Sequence, residues 1–158
     1  MSKCEDMTGS NLLKTLFAQN RQMARRAVAQ LTDDNRHRRL TADSASAGYL
    51  LQHLAESMYP ILLHSLGTPM PEGLNLRTLR GTQDEGQAGD AAYISALIEE
   101  AYAHTEESLN AQTDAQLAET VETKLWGTLA RAEAFGLIMY HNAYHIGQAM
   151  LAIKRGQA

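Results

Sequence analysis

The sequence predicts an all-α protein, an up-down four-helix bundle with a long connection between its second and third helices. Four stretches repeat apolar residues at steps of three and four, the period of a helix with one buried face. Valine and isoleucine are scarce, alanine and leucine are plentiful, and there are only 3 prolines, which favours helix over sheet. No internal repeat of about 20–50 residues occurs, so four helices are expected to pack around one core.

The first two predicted helices occupy residues 11–31 and a stretch that starts at residue 43 or 44. Ser10 is expected to cap the first helix, and Asp43 or Ser44 the second, because short polar side chains can accept the unpaired N–H groups of a first turn. The second helix is expected to end at Gly67, since glycine readily adopts the left-handed conformation that terminates helices.

Residues 68–89 form the longest irregular stretch, with two of the three prolines and four glycines. A connection of this length inside a compact domain usually has a function or is mobile. Two interpretations stay open, a plain crossover to the third helix and a lid over a site.

The remaining chain predicts two long helices separated by a short one. The third helix is expected at residues 90–110, and Thr113 is expected to cap a short helix over residues 114–121. A polar segment with Trp126 and Gly127 then leads into the last helix, at residues 128–154. No strand is expected anywhere, so the chain is expected to form one all-helical domain over residues 1–158.

Composition and charge exclude several classes of protein. A hydrophobic content of 44% and a charged content of 20% are typical of a folded globular domain. The net charge of −4 does not suit nucleic-acid binding. Six arginines cluster between residues 21 and 39, but no aromatic residue interleaves them, so a solvated face is the preferred interpretation.

The single cysteine and the hydropathy predict a cytoplasmic protein. Cys4 has no partner for an internal disulfide and is expected to have no functional role. The first ten residues lack the apolar core of a signal peptide, and no apolar run approaches the ~20 residues that a membrane span needs. No membrane association is expected.

The last helix carries two histidines four residues apart, His141 and His145. Residues at that spacing lie on one helix face with Cβ atoms about 5–6 Å apart, so two imidazoles can reach one metal ion. A catalytic zinc site needs about three protein ligands, and the best third candidate is His53, inside the apolar pattern of the second helix. The alternative stays open, because a histidine on an apolar face is more often a hydrogen-bonded core residue.

Two known histidine patterns do not fit the chain. The zinc-protease pattern H-E-x-x-H needs a glutamate where this chain has Asn142. Di-iron bundles repeat Glu-x-x-His pairs, whereas the second helix has the reverse order, His53 then Glu56, and no second pair. A mononuclear site with three imidazoles fits better, and such a site suits zinc, nickel or ferrous iron.

The motifs GYLLQHLAES and HNAYHIGQ, in this order, resemble the DinB family of four-helix proteins. The resemblance covers residues 12–155 and is most specific at residues 51–57 and 141–148. It implies a divalent metal ion held by His53, His141 and His145, and a homodimer. Characterised relatives are thiol-dependent, namely bacillithiol S-transferases and mycothiol-dependent maleylpyruvate isomerases, while many members have no assigned activity.

The function that the resemblance implies is thiol-dependent, S-transferase-type chemistry, with a low-molecular-weight thiol and an electrophilic small molecule as substrates. Two side chains near the histidines are candidate catalytic residues. Glu56, one turn after His53, could orient an imidazole or accept a proton, and Gln148, close to His145, could contact a ligand. For both, a polar contact that only satisfies the core is the alternative.

Three other functions stay open on the sequence alone. One is a metal-dependent hydrolase at the same site, another is a non-catalytic metal-binding or stress-related interaction protein, and the third is a structural bundle with hydrogen-bonded histidines.

Gly147, beside the histidines, predicts the close approach of another backbone or a ligand, because glycine inside a helix costs about 0.5–1 kcal/mol relative to alanine.

Overall fold

The computed structural model describes residues 8–79 and 81–157, and Cys4 lies outside these ranges. The described chain contains four long helices, one short helix and one two-stranded antiparallel sheet. Their bounds in chain order are α1 Gly9–Val28, α2 Ala47–Leu66, α3 Ala91–Asn110, α4 Asp114–Ala118, β1 Thr120–Thr123, β2 Gly127–Ala130 and α5 Arg131–Arg155.

The four long helices form the bundle, in which α2 packs against α3 and α5, and α1 packs against the same two helices. The starts of α2 and α3 meet where the Gly89 N–H donates to Gln52 (2.8 Å), and their ends meet at Thr68 and Ser108 (2.9 Å). These two helices are therefore parallel. The last turn of α5 lies beside the residues that precede α2, which makes α5 antiparallel to α2.

The predicted four-helix bundle and its long connection are confirmed. The helices run up, down, down and up, so the direction alternates from α1 to α2 and from α3 to α5, but not from α2 to α3. The connection between α2 and α3 has to return the chain along the whole bundle. This requirement explains its length, and it also takes the connection across the face of α2 that carries His53.

The helix bounds agree with the predicted ones to within a few residues, but two of the expected caps are wrong. The cap of α1 is Thr8, because Ser10 already lies in the first turn and its N–H donates to a carboxyl group on α4 (2.9 Å). The cap of α2 is Ser46, whereas the Ser44 hydroxyl accepts a backbone N–H three residues earlier (3.0 Å). Gly67 ends α2 with a φ of 70°, as predicted.

The expectation that the chain has no strand is wrong, because β1 and β2 form a hairpin before α5. Its turn places Gly127 at a φ of 69°, which favours glycine. The Thr123 hydroxyl accepts the N–H of Trp126 (2.9 Å) and donates to the Gly127 carbonyl (3.0 Å). Residues 128–130 therefore belong to a strand, and α5 begins at Arg131 instead of residue 128.

The core lies between the four long helices, and a buried polar network joins three of them. The Tyr102 hydroxyl donates to Asn20 Oδ1 (2.6 Å) and accepts from the Asn142 side-chain amide (3.0 Å). This network joins α1, α3 and α5 one residue away from His141. In the described part of the chain, no helix combines the length and the hydropathy that a membrane crossing requires.

Candidate metal centre

The structure brings His53 on α2 together with His141 and His145 on the antiparallel helix α5. One ring nitrogen of each residue lies within 4.8 Å of one ring nitrogen of each of the others. The imidazole centroids are 5.1 Å apart for His53 and His141, 4.9 Å for His53 and His145, and 4.4 Å for His141 and His145. All three side chains are half-buried, so the cluster combines a low-dielectric environment with access from outside.

Hydrogen bonds fix the tautomers of two of these histidines. The Thr78 carbonyl lies against Nδ1 of His53, and since a carbonyl oxygen only accepts, this Nδ1 carries the proton. The Gln148 side-chain oxygen likewise accepts from Nδ1 of His145 (2.8 Å). The lone pairs of both residues are therefore on Nε2, the nitrogens that face the centre of the cluster.

The donor set fits a divalent cation. Nε2 of His145 lies 3.2 Å from Nε2 of His141. Two nitrogens bound to one tetrahedral zinc ion at about 2.0–2.1 Å lie about 3.3 Å apart, close to this separation. Because the lone pair of His145 is on Nε2, the His141 Nε2–H donates to it in the absence of a metal, and a divalent cation bound between the two nitrogens would take the place of this proton. Imidazole nitrogen suits zinc, nickel and iron alike.

Burial, and to a smaller extent the neighbouring imidazoles, lower the pKa of His141 and His145 to about 4. For His141 the neighbours are His145 and His53, and for His145 the neighbour is His53. Both residues are therefore neutral near pH 7. The neutral form is the one that binds a metal ion, so the site needs no proton release from these two imidazoles before a metal can bind.

These pKa values predict that the metal-free protein loses stability as the pH falls below 6.5. The unfolded chain, with histidine pKa values near 6.5, binds protons that the folded state binds only near pH 4, so the free energy of unfolding decreases with falling pH through this interval. After allowance for solvent screening, we expect a loss on the order of 2 kcal/mol between pH 7 and pH 5.

Urea unfolding in the presence of a chelator measures this loss. The double variant His141→Gln with His145→Gln is expected to flatten the dependence, whereas replacing the exposed His37 by glutamine is expected to leave it unchanged. Equal slopes for the wild-type chain and the double variant would contradict the prediction.

Glu56 is fully buried but does not contact the imidazoles. Its carboxyl oxygens accept from the Gln52 side chain (2.7 Å), the Thr78 N–H (2.7 Å) and the Thr78 hydroxyl (2.8 Å). Thr78 in turn accepts from His53, so Glu56 acts on this imidazole through the long connection. This makes Glu56 a positioning residue for His53, and its hydrogen bonds include none to an imidazole.

Gln148 lies where the sequence predicts it, in contact with His145 from one turn further along α5. No equivalent contact is present for His141, whose Nδ1 is buried without a hydrogen-bond partner among the described residues. The side-chain oxygen of the adjacent Asn142 is likewise buried without a partner. A catalytic role for Glu56 or Gln148 stays a prediction.

Sequence reasoning missed Thr78 and Ser57. Thr78 contributes a backbone carbonyl, which every residue has, so no side-chain pattern identifies it. Ser57 places its hydroxyl 3.4 Å from Nε2 of His53. Its position four residues after His53, on the same helix face, is a signal that could have found it.

Two cavities reach the histidines from either side of His53 along α2. The first, the Tyr49 cavity, has a volume of about 420 Å³ and includes His145 and Gln148 in its wall. The second, the Trp126 cavity, has a volume of about 500 Å³ and includes His141. Both are bounded by His53 and Leu79, so a molecule in either cavity lies against the cluster.

Comparisons with known proteins identify a family and a fold. The DinB superfamily model matches residues 16–149. The sequence matches no protein among those with curated descriptions. Three of the solved structures that share the fold have sequence identities of 12–16% to this chain, too low to carry more than the fold.

The first is a DinB-like protein from Bacillus cereus, with a TM-score of 0.69 and 16% identity over 88% of this chain and 89% of that one. The second, YfiT from Bacillus subtilis, is described as a probable metal-dependent hydrolase with an unusual four-helix bundle topology. It has a TM-score of 0.68 and 16% identity over 98% of this chain and 93% of that one. The third is a mycothiol-dependent maleylpyruvate isomerase, with a TM-score of 0.67 and 12% identity over 94% of this chain and 63% of that one.

Proposed function

The chain belongs to the DinB superfamily, and from this premise we propose that it is a divalent-metal-dependent enzyme that transfers a low-molecular-weight thiol to an electrophilic small molecule. The observation that carries the proposal is the convergence of His53, His141 and His145 between two cavities. Three protein ligands leave room for an exchangeable one, which is the arrangement of catalytic rather than structural sites.

The side chains around the cluster have defined tasks in this proposal. Thr78 and Gln148 hold two imidazoles with Nε2 toward the metal position, and Glu56 holds Thr78. A divalent cation bound there would lower the pKa of a thiol or a water molecule and so supply a nucleophile near neutral pH. The described residues around the cluster include no serine–histidine–acid arrangement, so the nucleophile is expected to be the thiol itself.

Two features support a thiol substrate. The maleylpyruvate isomerase with the same fold is described as mycothiol-dependent. A cytoplasmic location, which the single cysteine predicts, would keep a small thiol reduced.

The test combines metal analysis with a turnover assay. Protein loaded with zinc, nickel or iron is incubated with cysteine, glutathione or coenzyme A and with 1-chloro-2,4-dinitrobenzene. In the expected reaction a carbon–sulfur bond forms, chloride leaves with its bonding electrons, and the thiol proton passes to solvent. Thioether formation that requires the metal supports the proposal, and metal binding without turnover across a broader panel of thiols would favour a non-catalytic, stress-related interaction protein.

Hydrolysis is the second candidate, because YfiT, with the same fold, is described as a probable metal-dependent hydrolase. The same cluster would then supply hydroxide in place of thiolate. Release of p-nitrophenol from p-nitrophenyl acetate by the metal-loaded protein, without any added thiol, would favour this candidate. Turnover that rises in proportion to thiol concentration would favour transfer.

We also propose that the protein forms a homodimer through neighbouring faces of α1 and α5. Both helices leave large apolar side chains exposed, with Leu12 and Leu16 on α1 and Tyr140 and Leu151 on α5. A Cβ atom added at Gly147 would meet nothing within 4 Å, so the close approach predicted there has no partner within the described chain. A second copy would cover these side chains and supply that approach.

Sedimentation at micromolar concentration tests the dimer. Tyr140 is 75% exposed, so Tyr140→Glu is expected to fold normally and to sediment as a monomer, because a charge at the centre of an apolar interface is costly. Ala103→Glu, on the exposed face of α3, is the matched control and is expected to stay dimeric. A monomeric wild-type chain at this concentration would contradict the proposal.

A further inference from the structure

The Trp126 cavity has an unusual construction, since the hairpin supplies one of its walls. Leu125 and Trp126, at the turn between β1 and β2, face Pro60 and Ile61 on α2. Leu125 is 55% exposed at the edge of the cavity, whereas the Trp126 side chain is partly buried against the core. The hairpin bonds that hold Trp126, from its N–H to the Thr123 hydroxyl, also fix this wall.

The hairpin side of this cavity is largely apolar. Among the described residues that bound the cavity, none is a carboxylate, an amine or a guanidinium, and the polar groups are the Ser57 hydroxyl, the Trp126 indole N–H and three imidazoles. Two of these imidazoles belong to the proposed metal site, and the third, His64, lies at the exposed end of α2. An apolar ring there would gain contact with Trp126 and Leu125. An anionic group would meet no cationic side chain among the described residues, so its lost hydration would be compensated only by the proposed metal ion.

The Tyr49 cavity, on the other side of His53, contains more hydroxyl groups in its wall. Its wall includes Ser44, Thr82, Gln148 and the Tyr49 hydroxyl, which donates to the Thr82 carbonyl (2.9 Å). Hydroxyl and amide groups of this kind hold polar molecules in a fixed orientation. The two cavities meet at His53 and Leu79, and they differ in which groups bound them, hydroxyl and amide groups in the Tyr49 cavity and the indole and leucine of the hairpin turn in the Trp126 cavity.

We propose that the Trp126 cavity binds the electrophilic substrate, a neutral molecule with a planar apolar group, and that the polar thiol enters through the Tyr49 cavity. This inference rests on the proposed thiol transfer and adds the class of the electrophile. The volume of about 500 Å³ lies within the range of about 300–1,000 Å³ that small-molecule sites occupy. The two substrates then approach the histidines from opposite directions along α2, so neither needs to leave for the other to bind.

Trp126 is the only tryptophan of the chain, so its fluorescence reports directly on this cavity. The probes are 1,3-dinitrobenzene, which is neutral and quenches indole emission, and 3,5-dinitrobenzoate, which has the same ring with an added carboxylate. In the metal-free protein we expect saturable quenching by the neutral probe and at least tenfold weaker binding of the carboxylate. Quenching that stays linear with concentration, or equal affinity for the two probes, would overturn the assignment.

Substitutions at the hairpin turn provide the matched comparison. Leu125→Glu places a charge at the edge of the cavity and is expected to weaken binding of the neutral probe at least fivefold. Lys124→Glu changes the adjacent exposed residue, which does not bound the cavity, and Thr82→Val changes the Tyr49 cavity; both are expected to retain wild-type affinity. An unchanged affinity in Leu125→Glu would count against the proposal, and circular dichroism checks that each variant is folded.

The proposed ligand of the Trp126 cavity and the proposed metal-dependent enzyme can be tested independently, because quenching is measured with and without metal. Saturable quenching that depends on Leu125, in a protein that binds no metal, would keep the cavity assignment while the proposed enzyme fails. Metal-dependent turnover together with unsaturable quenching would keep the enzyme and reject the cavity assignment.

Discussion

Replacing His141 by alanine is expected to abolish stoichiometric binding of a divalent metal while the bundle stays folded. His141 is one of three imidazoles that converge on one position, and it faces Nε2 of His145 at 3.2 Å. Losing a ligand leaves two nitrogens, fewer than the three that catalytic zinc sites use. Since loss of a supporting hydrogen bond alone costs about 10–100-fold in metal affinity, loss of a ligand is expected to cost at least about 100-fold.

The fold is expected to tolerate this change because the cluster stabilises the metal-free protein little. The lowered pKa of His141 shows that its environment opposes the charged form, and its Nδ1 is buried without a partner in the described chain. Removing the imidazole relieves an unsatisfied polar atom and leaves a space that the Trp126 cavity can extend into. We expect the free energy of unfolding without metal to change by about 1 kcal/mol or less.

Elemental analysis and calorimetric titration with zinc, nickel and ferrous iron measure the effect. His53→Ala is expected to behave like His141→Ala, and His37→Ala, an exposed histidine in the connector before α2, is the control that should bind like the wild type. Wild-type protein that stays metal-free after incubation with all three ions would remove the basis of the proposed enzyme. Retention of stoichiometric metal in His141→Ala would show that the ion lies elsewhere.

The long helices could be predicted from sequence because burial on one face imposes a period of three to four residues on apolar side chains. The hairpin could not, because each of its strands has only four residues, too few for an alternating pattern to stand out. Ser44 and Ser46 are chemically equivalent caps, and only the local turn that engages Ser44 decides between them.

The direction of α3 is a second feature of the fold that could not be predicted from the sequence. A connection of 22 residues, from 68 to 89, can reach about 70 Å when extended, whereas α2, with 20 residues, is about 30 Å long. Such a connection can cross one end of the bundle or return along its full length, so sequence does not fix which helix pairs are parallel. The contacts that decide this, between Gln52 and Gly89 and between Thr68 and Ser108, join residues far apart in the chain.

Part of the candidate site could likewise be predicted from the sequence, and part of it could not. The spacing of His141 and His145 indicates a shared helix face, and the family resemblance adds His53. The orientation of each ring depends on partners that sequence does not reveal, since Thr78 contributes only a backbone carbonyl from an irregular segment. The position of Glu56, three residues after His53, predicts a role near this imidazole, but no pattern in the sequence indicates that Thr78 is its hydrogen-bond partner.

Replacing Glu56 by alanine is expected to damage both the fold and the metal site. The carboxyl group is fully buried and accepts three hydrogen bonds, from Gln52 and from the backbone and hydroxyl of Thr78. Removing it leaves these donors buried without an acceptor, and each such donor costs about 1–3 kcal/mol. We expect the free energy of unfolding to fall by about 3–5 kcal/mol, as is typical when one partner of a buried polar network is removed.

The metal site is expected to weaken by a separate route. Without Glu56 the Thr78 backbone is no longer held against α2, so its carbonyl no longer fixes the proton of His53 on Nδ1. Loss of such a support typically lowers metal affinity about 10–100-fold. A Glu56→Gln variant keeps one oxygen acceptor and is expected to show a smaller loss of stability, of about 1–3 kcal/mol.

A double-mutant cycle between Glu56→Ala and Thr78→Val separates this coupling from a general loss of packing. Urea unfolding of the metal-free proteins gives the stability terms without the contribution of bound metal, and a titration with zinc gives the affinities. Glu107→Ala, on the exposed face of α3, is the control. If the two changes add without coupling, and Glu56→Ala binds zinc like the wild type, then Glu56 does not act through Thr78. A coupling of about 1 kcal/mol or more, together with weakened zinc binding, would establish that the long connection helps to build the metal site rather than only linking two helices.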